Sequence, residues 1–233
     1  LAGAISEKTR AVLINSPNNP TGQIYSKESL DALAALLREK SAETGQVIYL
    51  LSDEPYRKIV YDGRTVPSVL SSYSESIVAN SYSKEFSIPG ERIGFIAISP
   101  DAKYKADLIA GMTLSNRILG FVNAPALMQR VIARLQGASV DVARYARKRD
   151  ILCDGLREFG YKFTKPAGAF YLFPETPVED DVKFVRALQR ERILTVPGSG
   201  FGGPGHFRIS YCVDDETIEG ALPGFKKVMD TFQ

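Results

Sequence analysis

Cysteine and histidine are scarce in this sequence, with two and one among 233 residues. Zinc sites need closely spaced ligand pairs and disulfide frameworks need more thiols, so the distant pair Cys153 and Cys212 speaks against both. Each cysteine reads instead as a small buried or half-buried side chain, and no metal site is expected. A catalytic serine triad would have to use His206, yet no G-x-S-x-G elbow accompanies it, so His206 reads as a loop residue. Charge of one sign is also missing, since 29 basic and 27 acidic residues leave a formal +2. That balance gives no support to nucleic-acid or membrane-surface binding. No apolar run approaches the roughly 18 residues that cross a bilayer, and no charged-then-apolar leader opens the chain. A cytoplasmic location is the resulting expectation. With 44% hydrophobic and 24% charged residues, the chain has the profile of an ordinary globular protein, long enough for one large domain or a domain and a half.

Ala11 to Asn15 is an apolar run that reads as a buried parallel strand, ending in the turn-rich segment Ser16 to Gly22. Ser26 is placed to cap a helix whose Leu30, Leu33, Ala34 and Leu37 fall at i, i+3, i+4 and i+7, one packing face. Gly45 closes it, and Val47 to Leu51 gives the next strand of a βαβ unit. Ile77 to Asn80 and Ile93 to Ile98 read as two more strands, with Val60 to Tyr73 a loop. Leu127, Val131 and Leu135 mark a helical stretch beginning near Pro125, and a second helix carries Leu152, Leu156 and Phe159 and stops at Gly160. From Tyr161 the pattern turns α+β. Strands are expected at 166–173, 193–196 and 207–213, with a helix face of Val182, Val185 and Leu188. Asp214 is placed to cap a last helix that Pro223 should kink or interrupt.

The segment Ser81-Tyr82-Ser83-Lys84 follows the Ile77 strand and so falls at a strand's C-terminal end, where open α/β sheets bind ligands. A lysine there, among hydroxyl residues rather than in a charge run, suits imine formation with an aldehyde, given enough burial or a nearby cation to ease deprotonation. Arg92 follows eight residues after Lys84, past the Pro89-Gly90 turn, and its planar guanidinium suits a phosphate that Ser81 also reaches. Asp53 follows the Val47 to Leu51 strand directly, at the same sheet edge, with Tyr56 three residues later. The run Gly198 to Gly203 formally matches G-x-G-x-x-G, but Pro204-Gly205 and a strand follow where a phosphate-binding helix is required, so the dinucleotide reading is rejected. The loop reads instead as a close backbone approach to substrate before Arg208.

S-x-S-K followed by R-x-G resembles the lysine segment of fold type I aminotransferases that use pyridoxal phosphate (PLP). Asn18-Asn19-Pro20-Thr21-Gly22 resembles their N-P-T-G turn, Asp53-Glu54-Pro55-Tyr56 their D-x-x-Y segment, and Phe207-Arg208-Ile209-Ser210 their carboxylate-binding strand. All four occur in the family's order and span nearly the whole chain.

The resemblance implies an α/β fold of the PLP-dependent transferase type. A partial, mostly parallel sheet with flanking helices (1–124) would be followed by linking helices (125–159) and a smaller C-terminal α+β domain (160–233), with the strand at Ile93 antiparallel. It implies PLP held by Lys84, with Asp53 at the ring nitrogen, Asn19 and Tyr56 at the ring oxygen, Ser81 and Arg92 at the phosphate, and Ser83 also among the cofactor-binding residues. Arg208 would take the carboxylate of an amino-acid or 2-oxo-acid substrate, with Asn19 also at the substrate. It also implies a homodimer, with Arg117 and Asn123 as weak interface candidates. The chain resembles roughly the C-terminal two-thirds of such an enzyme, so weak or absent turnover by these residues alone is the expectation. A carbon-sulfur lyase of the same fold would use the same residues. The effector domain of an aminotransferase-like transcription regulator is a further alternative, disfavoured by the retained N-P-T-G turn.

Overall fold

The computed structural model describes residues 1–232, which form two compact units. The first comprises residues 1–17, 24–58 and 65–140, and the second comprises 18–23, 59–64 and the chain from Asp141 onward.

The first unit contains β1 (Ala11–Asn15), α1 (Lys27–Thr44), β2 (Tyr49–Asp53), β3 (Ser76–Ser81), the one-turn α2 (Tyr82–Glu85), β4 (Gly94–Ile98), α3 (Lys105–Ile118) and α4 (Ala126–Arg134). Its sheet has the order β1-β2-β3-β4, parallel across the first three strands and antiparallel at β4. The Ser26 hydroxyl caps α1 by accepting the Ser29 N–H at 3.1 Å, and Gly45 ends it in the left-handed region at φ +66°. Leu30, Ala34 and Leu37 of α1 pack with Ile14, Ile48, Leu50, Tyr73 and Val78. Truncating one such leucine to alanine would cost about 2–5 kcal/mol. At β4, any side chain on Gly94 would collide with the Asn80 carbonyl oxygen, which explains the glycine of R-x-G.

The second unit contains α5 (Val142–Glu158), β5 (Tyr171–Leu172), α6 (Asp181–Arg190), β6 (Val196–Pro197), β7 (Phe207–Ser210) and α7 (Asp215–Phe232). Its three strands are ordered β5-β7-β6, all antiparallel. Arg149 on α5 is 1% exposed and forks onto Asp62 at 2.8 and 2.9 Å, donates to the Pro166 carbonyl at 3.1 Å, and lies 4.6 Å from the Tyr61 ring. It fastens the 59–64 segment to the start of the Pro166 loop.

Several expectations need correction. Pairing in β2 begins at Tyr49 rather than Val47, because the Ile48 N–H is still taken by the Ser41 hydroxyl. The strand expected over 166–173 shrinks to Tyr171–Leu172, since Ala167 and Gly168 both donate to the Gly22 carbonyl and Ala169 to that of Ile59. Ile193 donates to the Leu188 carbonyl and closes α6, so β6 starts only at Val196. β7 stops at Ser210 because Tyr211 turns to donate to the Phe170 carbonyl. Cys153 is buried, but Cys212, two residues past that strand end, is exposed.

Helix α7 runs uninterrupted through Pro223, anchored by buried Ile218 before it and Phe225, Val228 and Met229 after it. β1 is an edge strand, so Leu13 is exposed rather than buried. In α4 the apolar positions Leu127, Val131 and Leu135 face outward, and Ile132 is the buried residue. Helix α3, which the sequence reading passed over, buries no residue and exposes Ile109, Leu114 and Ile118.

The Arg149 clamp yields a signed pH prediction. Its hydrogen bonds hold the Asp62 carboxyl below the usual carboxylate range. A depressed folded-state value adds stability above the unfolded pKa of about 4 and loses it as pH falls through the lower folded value. Asp62→Asn should therefore lower the melting temperature at pH 7, and the gap to the parent should close on acidification below about pH 4. Thermal melts across pH check this, and a pH-independent gap would contradict it.

Candidate active site

In the first unit, the C-terminal ends of β1, β2 and β3 lie side by side, because Asn15 pairs with Asp53 and Asp53 with Ala79. Asp53 is thus the last residue of β2 itself. The Asn15 amide donates at 3.0 Å both to the Asp53 carboxylate and to its carbonyl, fixing the side chain. Burial pushes the Asp53 carboxyl up, the Asn15 hydrogen bond pulls it down, and neighbouring Glu54 pushes it up again. No cation among the described residues pairs with it. Beyond Asp53, the Glu54 N–H donates to the Ala79 carbonyl at 2.8 Å and Tyr56 is buried in the turn that follows.

β3 delivers the lysine segment to the same rim. Ser81 is extended and caps α2, its hydroxyl accepting the Ser83 N–H at 3.2 Å and donating to the Ser83 hydroxyl at 2.8 Å. Lys84 follows, half-buried, within that single turn. Ser81 lies opposite Gly94 in the β3–β4 register, and the Tyr82 N–H donates to the Ile93 carbonyl, so the chain at Arg92 passes beside the start of α2. Arg92 sits in the left-handed region at φ +49°, uncommon for a residue with a side chain, and its exposed guanidinium donates to the Pro89 carbonyl at 2.6 Å. Asp53 and Tyr56 thus lie at and just beyond the end of β2, and Ser81, Ser83 and Lys84 at and just beyond the end of the neighbouring β3.

The other two expected residues meet in the second unit. Asn18 closes the 18–23 turn by accepting from the Thr21 N–H and hydroxyl at 3.1 and 2.8 Å. Gly22, at φ +66°, leaves no room for a side chain, which would fall 2.6 Å from Pro166. From this turn the Asn19 side-chain amide oxygen, Oδ1, accepts a hydrogen bond from Arg208 Nη1 at 2.9 Å. The Arg208 guanidinium lies between the rings of Tyr171 and Phe201, 4.7 and 4.6 Å from their centroids, and its Nε is buried with no hydrogen-bond partner among the described residues. A guanidinium held flat by two rings, with an unused N–H, is prepared for a planar anion such as a carboxylate.

Tyr171 and Phe201 were not singled out in the sequence. The signal for Phe201 was the glycine-rich run itself, which folds as a 3₁₀ turn over Gly198–Phe201 and closes so tightly that a side chain on Gly198 would strike the Gly203 and His206 carbonyls. The glycines thus serve to present Phe201 over Arg208. His206 stacks on Phe173 at 5.0 Å and its Nδ1 lies 3.1 Å from the Pro204 carbonyl oxygen. Arg117, in the last turn of α3, and Asn123 beyond it are both exposed. Among the described residues no three His, Cys, Asp or Glu side chains cluster as metal ligands, and no helix is long and apolar enough to cross a membrane.

Comparison with known proteins comes to bear on this geometry. The family model described as aminotransferase class I and II matches residues 1–224. The aspartate/prephenate aminotransferase of Thermus thermophilus is 35% identical over 97% of this chain, and the aspartate aminotransferase of Thermotoga maritima is 33% identical over 94%. A crystal structure of an aminotransferase from Eubacterium rectale superposes with a TM-score of 0.96 at 44% identity, covering all of this chain and 58% of its own. The chain spans 58% and 56% of the length of the two curated relatives.

The Asp53 geometry gives a prediction that needs no ligand. A carboxyl raised by burial contributes stability at low pH that is lost as pH rises through its folded-state value. Asp53→Asn, which keeps an acceptor for Asn15, should raise the melting temperature of the unliganded protein at pH 7 relative to the parent and lose that advantage in acid. A variant less stable than the parent at pH 7 would contradict the account.

Proposed function

The chain belongs to the class I and II aminotransferases, and from that footing we propose that it serves PLP-dependent transfer of an amino group between an L-amino acid and a 2-oxo acid. The observation that supports this reading is that Asp53 ends β2 while Lys84 follows the end of the neighbouring β3, the carboxylate half-buried and matched by no protein cation among the described residues. Such a carboxylate fits a cofactor that brings its own positive charge, as a protonated pyridine does. When bound, PLP supplies an electron sink for the pair left behind as the substrate's α-proton departs.

The residues present would hold it as follows. Lys84 would hold the cofactor aldehyde through its ε-amine and, once the substrate's amino group has taken its place there, the freed amine would carry the proton at the substrate α-carbon, as base and acid in turn. Asp53 would keep the ring nitrogen protonated. Tyr56 and the side-chain Nδ2 of Asn19 would donate to the ring oxygen, Asn19 through Nδ2 because its Oδ1 already accepts from Arg208. Ser81, Ser83 and Arg92 would hold the phosphate, Arg92 by swinging away from the Pro89 carbonyl it now contacts. Arg208, braced by Tyr171 and Phe201, would take the substrate α-carboxylate as a fork-on-fork pair. A cytoplasmic homodimer is the assembly proposed. Relatives are named for aspartate, prephenate and aromatic amino acids, so those are the substrates to assay first.

Titrating the protein with PLP should produce a visible absorption band that Lys84→Ala abolishes. A band of equal strength in that variant would remove the central assignment. Amino transfer that depends on an added 2-oxo acid, without release of pyruvate and ammonia, separates this reading from a lyase.

A further inference from the structure

Glu85, the residue after Lys84, is a buried carboxylate with no part in the chemistry above. Its side chain is 2% exposed and pairs at 3.5 Å with the Lys58 ammonium. The same ammonium donates to the Gln136 and Ala138 carbonyls at 2.8 and 3.2 Å and lies over the Phe86 ring. Further bonds join the same pieces, since the Val140 N–H donates to the Glu85 carbonyl at 2.8 Å and the Gln136 amide to the Tyr82 hydroxyl at 3.2 Å. All of these residues lie in the first unit. Lys58 and Val140 are also the last residues before the chain leaves that unit, at 59 and at 141.

We propose that the Lys58–Glu85 ion pair is a positioning device for Lys84, bolting the one-turn helix that carries it to two of the three places where the chain leaves the first unit. A four-residue helix has too few internal hydrogen bonds to hold its own orientation. Successive helical residues point about 100° apart, so anchoring Glu85 inward fixes the direction in which Lys84 projects. A hydrophobic pair would fill the same space without desolvating the buried Glu85 carboxylate, whereas an ion pair with one buried partner ties that carboxylate to a single cation. The assignment of Lys84 as cofactor lysine is taken from the reading above, while the bolting itself is measured without any cofactor.

The test compares the parent with Lys58→Met, Glu85→Gln, their double variant and Lys58→Arg. It uses amide hydrogen exchange over 82–87 and 136–140, together with the acetylation rate of each lysine by acetic anhydride, read by mass spectrometry. Either disruptive change should speed exchange in both segments about tenfold. Each should also raise Lys84 acetylation several-fold toward that of exposed lysines, with the double variant no worse than either single. Lys58→Arg, which keeps the charge and donors, should stay near the parent. Exchange altered in the substituted segment alone, or Lys84 acetylation unmoved, would overturn the proposal. Should Glu85→Gln fail to fold, Lys58→Met, at a side chain 35% exposed, carries the same test. Failure of PLP to attach at Lys84 would sink the functional reading and leave these two measurements intact.

Discussion

The structure depends on one constraint, the in-register parallel pairing that sets Asn15, Asp53 and Ala79 abreast. A register slip of one residue in β2 would turn Asp53 to the opposite face of the sheet and lift it off the Asn15 amide. Because β1 and β2 end level and β3 runs only two residues further, the β2 and β3 ends carry their functional groups to the same edge of the sheet. β2 gives the acid and the phenol, and the β3–α2 junction gives hydroxyls and an amine. The apolar packing of α1 against Ile14, Leu50 and Val78 exists to hold that register, which links core to chemistry.

The second unit solves a different problem, the presentation of a cation. Its backbone is tied by loops rather than long ladders. The Gly22 carbonyl takes two N–H groups from the Pro166 loop, the Ile59 carbonyl takes a third, and Arg149 clamps the ends. What this irregular frame supports is Arg208 between two aromatic rings, with its orientation set by Asn19 and one buried N–H unused. An unused donor in a buried position costs stability, and such costs concentrate where a ligand will be bound.

Much of this was legible in the sequence, for reasons that can be named. The strands at Ala11 and Ile77 and helix α1 announced themselves through strong periodicity and local caps, which depend on near neighbours only. The motif residues were legible because glycine and proline pin backbone shapes, and the structure gives the reason for each glycine: Gly22 abuts Pro166 and Gly94 abuts Asn80. The short strands near Tyr171 and Val196 were misjudged because their flanking N–H groups bond to carbonyls in other segments, which no local pattern reveals. Helix α3 and the outward apolar face of α4 escaped because burial is a property of the fold and not of a heptad. The Lys58–Glu85 pair, 27 positions apart in the chain, left no signal in the sequence at all.

The central claim is that Lys84, just past the end of the strand next to the one that Asp53 ends, is the attachment point for an aldehyde cofactor. The most direct measurement is to treat the protein with PLP, reduce with borohydride and map the modified peptide by mass spectrometry. The account predicts one dominant phosphopyridoxyl group, on Lys84. Label spread over exposed lysines such as Lys8 and Lys103, with Lys84 unmodified, would contradict it.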